Sequence, residues 1–228
     1  MSERIVFITG ANGGLGTFVT ESFLQQGDRV IGASRHVDAS EFPSPSFRAM
    51  SVDFTNQQQV HDAIAKVIAE FGRLDILVHV LGGFAGGQSI ATTDDATWKR
   101  MRDLNLTSAF YALRETIPHL RKSKSGRIVA IGSLAAKEPQ PNLGAYVIFK
   151  TALSMLVQTV ARENADTGLT ANVILPGTMD TPANRQAMPN ADFSKWLNPK
   201  DVAELILWLA DERAAHVTGT VIPIEGKP

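Results

Sequence analysis

The sequence predicts an α/β fold: a doubly wound parallel sheet of about seven strands with helices on both faces, in one domain spanning residues 1–228. Two observations predict it. Short apolar runs alternate along the chain with segments of helical periodicity, and the first run passes directly into a glycine-rich turn. Continuous apolar runs are typical of parallel strands buried on both faces. The predicted strands are residues 5–8, 29–33, 47–52, 74–81, 127–131, 170–175 and 221–224.

The composition excludes several classes of protein. The chain has 228 residues, 44% hydrophobic and 20% charged, with a formal net charge of −1. That balance makes nucleic acids and anionic membranes poor partners. There are no cysteines, and no histidine, aspartate and glutamate cluster has metal-ligand spacing, so we expect no metal site. No stretch suits a signal peptide or a membrane helix, which predicts a soluble cytoplasmic protein.

The glycine-rich turn at residues 9–16 follows the first strand and precedes a helix at residues 17–26. Glycines here let the backbone come close to a pyrophosphate, and the helix N-terminus supplies unpaired N–H groups. The pattern favours a Rossmann-type dinucleotide site over a simple glycine turn. Its candidate cofactor contacts are Gly10, Asn12, Gly13, Gly14, Leu15 and Gly16.

The second strand is followed by Ser34 and Arg35, where dinucleotide-binding folds often place an acid for the ribose 2′-hydroxyl. An acid would repel a 2′-phosphate, whereas an arginine can form charge-assisted hydrogen bonds to it. The two residues therefore predict NADP(H) in preference to NAD(H). The alternative is that Arg35 points into water.

The ends of the third and fourth strands give further candidate cofactor contacts. Asp53, followed by Phe54, could cap the helix at residues 56–71 or accept a hydrogen bond from an adenine amino group. Gly82 opens a glycine-rich loop at residues 82–87, which indicates close approach of the backbone to a flat or bulky ligand. We interpret His79 as a hydrogen-bonded core histidine.

Two long helices are predicted in the second half of the chain. The first, at residues 94–120, contains Asn105, which has a packing or a functional reason to be there because asparagine is an indifferent helix former. The second, at residues 146–162, is apolar nearly all round, so one face covers the sheet and the other meets another subunit. We therefore expect a homodimer or homotetramer.

Tyr146 and Lys150 are four residues apart, which places them on the same face of a helix. An ammonium nearby favours a phenolate and lowers the pKa of the tyrosine. Tyr146 could then exchange a proton with a carbonyl or an alcohol near neutral pH. Ser133, on the loop after the fifth strand, could hold the same oxygen by a hydrogen bond.

The sixth strand leads into Pro176, Gly177, Thr178 and Thr181, where backbone groups and threonine hydroxyls could hold a nicotinamide carboxamide. Polar residues then predict a mobile substrate lid with a short helix at about residues 180–198. A last helix at residues 201–209 precedes the final strand. Pro223 places that strand near an edge of the sheet.

Together these motifs resemble the short-chain dehydrogenase/reductase family across essentially the whole chain. The resemblance implies that Tyr146 is the acid/base and that Lys150 tunes it and binds the nicotinamide ribose. It also implies that Ser133 polarises the substrate carbonyl and that Asn105 holds a water in a proton relay. The family's Asn-Asn-Ala-Gly after the fourth strand is replaced here by residues 79–82, so the backbone there needs a different support.

The loop at residues 82–87 and the segment at residues 180–196 look more narrowly like the dihydropteridine reductase branch of the family. That branch typically lacks the catalytic serine and has an acid after the second strand, and this chain departs on both points. The leading interpretation, at the level of the whole family, is reduction of a small carbonyl or a conjugated C=N by hydride transfer from NADP(H). The alternatives are a dihydropteridine reductase-like enzyme acting on quinonoid dihydropterin and a non-catalytic dinucleotide sensor.

Overall fold

The structure, a computed structural model, describes residues 3–123 and 125–226. All seven strands form one parallel sheet in the order β3-β2-β1-β4-β5-β6-β7. This confirms the predicted fold class. The strands are β1 (Ile5–Thr9), β2 (Arg29–Ser34), β3 (Phe47–Ser51), β4 (Ile76–His79), β5 (Arg127–Ile131), β6 (Thr170–Pro176) and β7 (Val221–Ile224).

Helices cover both faces of the sheet because each presents an apolar stripe to it. α1 and α7 pack together on one face, and α2, α4 and α5 cover the other. The helices are α1 (Gly16–Gln25), α2 (Gln57–Phe71), α3 (Asp95–Arg102), α4 (Ser108–Leu120), α5 (Gly144–Glu163), α6 (Pro182–Ala187) and α7 (Pro199–Leu209).

Two predicted elements differ from the observed ones. The helix expected at residues 94–120 is interrupted by a π-helical turn, Asp103–Thr107, between α3 and α4. The fourth strand is shorter than predicted, because the chain leaves the sheet after His79 and turns into the glycine-rich loop. The final strand, β7, forms an edge of the sheet, as Pro223 predicted.

α5 is the core helix of the α2, α4 and α5 face and packs on β6. Among the helices of residues 3–123 and 125–226, α5 alone has the length and composition to cross a bilayer. Its buried face explains that composition, since Leu153, Val157 and Val160 lie in the core. Its other face leaves Ile148 and Met155 exposed, at 45% and 64%.

Candidate active site

The carboxyl ends of the parallel strands bring most of the candidate residues to one edge of the sheet. Ser133 follows β5, Gly82 follows β4 after a short connection, and Pro176 ends β6. α5 begins beside them, so its first turns carry Tyr146 and Lys150 to the same edge. Residues far apart in the sequence therefore come together at this end of the sheet.

Lys150 is buried, with 4% of its surface exposed, and its Nζ donates a 2.8 Å hydrogen bond to the Ile131 carbonyl at the end of β5. Burial lowers the pKa of Lys150 to about 8, because the charged ammonium loses its hydration. The lysine is therefore held in place by the backbone of the sheet.

Tyr146 is half-buried, and burial raises the pKa of its phenol, while the Ser133 hydroxyl acts in the opposite direction. The expected lowering of the phenol pKa by Lys150 is wrong for this structure. The physical reason is that Lys150 directs its ammonium at the Ile131 carbonyl, so desolvation is the larger influence on Tyr146. Ser133 is the nearby group that favours the phenolate.

Asn105 is fully buried in the π-helical turn and clamps the backbone at Gly83. Its Oδ1 accepts from the Gly83 amide at 3.1 Å, and its Nδ2 donates to the Gly83 and Met101 carbonyls at 3.0 Å. The π turn rotates this amide toward the loop, and such turns are frequent at functional sites. Asn105 therefore has a structural role in holding the loop, and its catalytic role stays a prediction.

Gly82 separates Asn105 from Lys150. A Cβ at Gly82 would lie 2.8 Å from Lys150 Nζ and 2.9 Å from Asn105 Oδ1. Only glycine leaves that space open, and the structure brings Asn105, Lys150 and Gly82 together.

The backbone of the glycine turn requires glycine at two positions. Gly10 has φ of +70°, and a Cβ there would lie 3.0 Å from the Leu81 amide nitrogen. A Cβ at Gly16 would lie 1.9 Å from the Gly10 carbonyl oxygen, so glycine is required. The N-cap of α1, Leu15, makes no side-chain capping bond, and the first turn of α1 has no acidic residue. Its N–H groups are thus suited to an anion.

Near the end of β2, Ser34 is buried and Arg35 is exposed. Arg35 forms no ion pair with any residue in the described ranges 3–123 and 125–226, so its charge is available to a ligand. Asn12 reaches this point from the glycine turn, since its Nδ2 donates to the His36 carbonyl at 2.6 Å. The turn and the end of β2 are therefore joined.

Asp53 does not cap α2, which corrects one of its two predicted roles. Its carboxylate accepts from the Thr55 amide and hydroxyl at 2.9 and 2.7 Å, while Asn56 caps α2 by accepting from the Gln59 amide. The adenine role stays a prediction. Phe54 is buried and packs edge-to-face on Phe7, so only its backbone could contact a cofactor.

The segment after β6 folds back on the glycine turn. Thr181 is buried, accepts from the Asn184 amide to cap α6, and lies where a Cβ at Gly14 would meet it at 3.0 Å. Gly177 donates its amide to Ile224, and the Thr178 carbonyl accepts from the Leu197 amide. Pro176, Gly177, Thr178 and Thr181 thus form a continuous wall at the base of the segment predicted to be a lid.

His79 supports the loop that departs from the family pattern. Its Nδ1 lies 3.0 Å from the Thr9 hydroxyl, which accepts from the Leu81 amide at 3.3 Å. The histidine is a buried core residue, as predicted, but its Nε2 has no partner among the residues that the structure describes. Burial and the Lys150 charge lower the pKa of His79 to about 3, so the ring is neutral.

Phe84 and Glu41 are two site residues that sequence reasoning missed. The Phe84 ring lies edge-on to the Tyr146 ring with centroids 5.0 Å apart, and 64% of it is exposed. Phe84 could have been found from the sequence, because it is the single aromatic residue in the glycine-rich loop at residues 82–87. Glu41 approaches Asn12 across the turn, and nothing local in the sequence announced this contact.

A fold with this glycine turn, and a tyrosine, lysine and serine at one strand edge, defines the class of nicotinamide dinucleotide-dependent oxidoreductases. The short-chain dehydrogenase family model matches residues 4–192. An uncharacterised oxidoreductase of Staphylococcus haemolyticus is 31% identical, covering 95% of this chain and 94% of that one. The chain belongs to the short-chain dehydrogenase/reductase family, and it is an enzyme of that family.

A further relative and a solved structure support this family assignment. A 3β-hydroxysteroid dehydrogenase of Mediterraneibacter gnavus is 28% identical, covering 98% of this chain and 94% of that one. The solved structure of ElxO with NADP bound has a TM-score of 0.91 and 27% identity, and the match covers 98% of both chains. These findings do not support the narrower resemblance to dihydropteridine reductases. Family membership also argues against the non-catalytic sensor.

Proposed function

We propose that the protein is an NADP(H)-preferring reductase of a small carbonyl or a conjugated C=N, with Tyr146 as the general acid. The observation that carries this is the interaction of the Ser133 hydroxyl with the Tyr146 phenol, while Lys150, one turn further along α5, is bonded to the end of β5. A bound nicotinamide dinucleotide would supply the hydride. Tyr146 gives a proton to the substrate oxygen or nitrogen, and Ser133 donates a hydrogen bond to a carbonyl oxygen.

Lys150 and Asn105 complete the proposed proton path. Lys150 holds the nicotinamide ribose and returns protons toward Tyr146, while Asn105 holds a water next to Lys150. Their proximity across Gly82 supports this role. The proposed cofactor contacts are Gly10, Asn12, Gly13, Gly14, Leu15, Gly16, Ser34, Arg35, Asp53, the Phe54 backbone, Gly82, Tyr146, Lys150, Pro176, Gly177, Thr178 and Thr181.

The segment at residues 180–198 acts as a substrate lid in this proposal, and the chain works as one domain. Thr181, the N-cap of the lid helix α6, lies against Gly14 of the glycine turn. Movement of the lid would therefore couple to cofactor binding. Exposed Phe110 on α4 and exposed Ile148 and Met155 on α5 support a homodimer or homotetramer through these helices. A cytoplasmic location stays a prediction.

A dihydropteridine reductase-like enzyme is the second candidate, and the exposed Phe84 ring against Tyr146 favours it. A flat heterocycle could lie on that ring, because aromatic rings prefer offset-stacked and edge-to-face contacts. Such a reduction needs a hydride and a proton but no carbonyl polarised by Ser133.

The test measures initial rates of NADPH and NADH oxidation with small ketones, quinones and quinonoid dihydropterin. We expect turnover of ketones or quinones with NADPH, lowered by about 10²–10⁴-fold in Tyr146→Phe, which keeps the ring and removes the proton donor. Ser133→Ala separates the two candidates, because it should slow ketone reduction and leave pterin reduction unchanged. Full activity of Tyr146→Phe on every substrate would contradict the proposed chemistry.

A further inference from the structure

A carboxylate lies beside the cofactor-binding groups near the end of β2. Asn12 of the glycine turn donates its Nδ2 both to the His36 carbonyl, at 2.6 Å, and to the Glu41 carboxylate, at 3.2 and 3.1 Å to the two oxygens. Because both acceptors bind one nitrogen, the carboxylate and the His36 carbonyl oxygen lie within about 6 Å of each other. Arg35 is the residue before His36.

The position of this carboxylate is fixed from three sides. Glu41 accepts from the Asp38 amide at 2.7 Å, and the Asp38 carboxylate accepts from the Ser40 amide at 2.9 Å, which forms a capping box. The next residue, Phe42, is buried and packs on Phe47 with ring centroids 4.7 Å apart. Glu41 is therefore held at the turn and cannot swing away without breaking these contacts.

The charge of Glu41 is not neutralised by an ion pair. No lysine, arginine or histidine in residues 3–123 and 125–226 forms an ion pair with it. The only polar partners of its carboxylate in that part of the chain are the Asn12 amide and the Asp38 N–H. The end of β2, where the adenosine site is predicted, thus carries the exposed positive residue Arg35 and lies near the negative Glu41 carboxylate.

We infer that Glu41 is a specificity-determining residue that weakens binding of a ribose 2′-phosphate and so limits the preference for NADP(H) that Arg35 creates. The inference rests on the proposed cofactor site. A 2′-phosphate between Arg35 and Asn12 is attracted by the guanidinium and repelled by the fixed carboxylate. A 2′-hydroxyl carries no charge and can instead donate to the carboxylate. The two dinucleotides therefore bind with closer affinities than Arg35 alone would give.

Glu41→Gln tests this, because it removes the charge and keeps an oxygen that can accept from Asn12 or Asp38. Dissociation constants of NADPH and NADH are measured by equilibrium titration of the protein without substrate. We expect the ratio of the NADH constant to the NADPH constant to rise about three- to tenfold, through tighter NADPH binding. The gain should shrink when salt is raised from about 0.05 to about 0.5 M, because exposed charges are screened.

Two further variants separate charge from loop position. Glu41→Ala should raise the same ratio, whereas equal weakening of both dinucleotides in both Glu41 variants would overturn the inference. Glu163→Gln is the control: it removes one charge at the far end of α5 and should leave the ratio unchanged. An unchanged ratio in Glu41→Gln would also overturn it. If the wild-type protein bound neither dinucleotide, the proposed function itself would fail, and the inference with it.

Discussion

Lys150→Met is the perturbation whose outcome the structure specifies most fully. Burial lowers the pKa of Lys150 from its ordinary value of 10.5 to about 8. At about 1.4 kcal/mol per pKa unit, keeping the ammonium charged costs the folded state about 3 kcal/mol at neutral pH. Methionine removes that charge at similar volume, but it leaves the Ile131 carbonyl without its donor, which costs about 1–3 kcal/mol.

The sign of the pH dependence follows from linkage. Between pH 8 and 10.5 the unfolded chain holds the Lys150 proton and the folded chain has released it. The unfolded state then binds more protons, so the stability of the wild type rises with pH through this window. Below pH 8 the full cost is present, and above pH 10.5 it is gone. Near pH 7 the variant should equal or exceed the wild type by up to about 2 kcal/mol.

The measurement is the free energy of unfolding in urea for both proteins, without cofactor and at one protein concentration, from about pH 7 to about pH 10. We expect the free energy of unfolding of the wild type to rise by about 2 kcal/mol relative to that of the variant across this range. Neighbouring groups do not interfere, because the pKa of His79 is about 3 and burial raises the pKa of Tyr146 from its ordinary 10.0. Parallel stability curves would refute the buried charge. The variant should also lose most reductase activity.

Two other predictions concern the cofactor and the assembly. Arg35→Ala should weaken NADPH binding by about 10- to 100-fold and NADH binding far less, because a charge-assisted hydrogen bond contributes about 1.5–3 kcal/mol; equal weakening in an equilibrium titration would show that Arg35 does not contact the 2′-phosphate. Met155→Glu should lower the oligomeric state in sedimentation velocity, since Met155 is 64% exposed on α5, whereas Met188→Glu, a control at an exposed lid position, should not. A wild type that sediments as a monomer at micromolar concentration would contradict the proposed assembly.

The features that could be predicted from the sequence are those with a local cause. Strands β1, β2, β3, β5, β6 and β7 were found within one residue of their predicted bounds, because buried parallel strands leave continuous apolar runs. The glycine turn and the Tyr146–Lys150 spacing are local too. The π-helical interruption between α3 and α4 has no local cause in the sequence. It accompanies a hydrogen bond from Asn105 to a loop that lies 22 residues away along the chain.

The capping role of Asp53, one of its two predicted roles, and the lowered pKa of Tyr146 are predictions that the structure corrects. Asp53 and Asn56 both belong to residue types that favour the N-cap position, and they lie three residues apart. The helix begins after the second of them, so Asn56 caps α2. The pKa of Tyr146 depends on where Lys150 Nζ points, which the Ile131 carbonyl of another element determines. The contact between Glu41 and Asn12 also joins residues that lie far apart in the sequence, 29 positions from each other. Composition and spacing contain no information about these choices.

The same tertiary bonds indicate how the site can be ready for its substrate. Lys150 is bonded to the end of β5, and Asn105 to the loop after β4, so each is fixed by the backbone and not by the other. The space between them stays open because residue 82 has no Cβ. A charge buried at a cost of about 3 kcal/mol persists only where such surroundings over-determine it. The buried charge lowers the stability of the folded protein. A Lys150→Met protein that is more stable but less active would therefore be evidence that Lys150 is present for function.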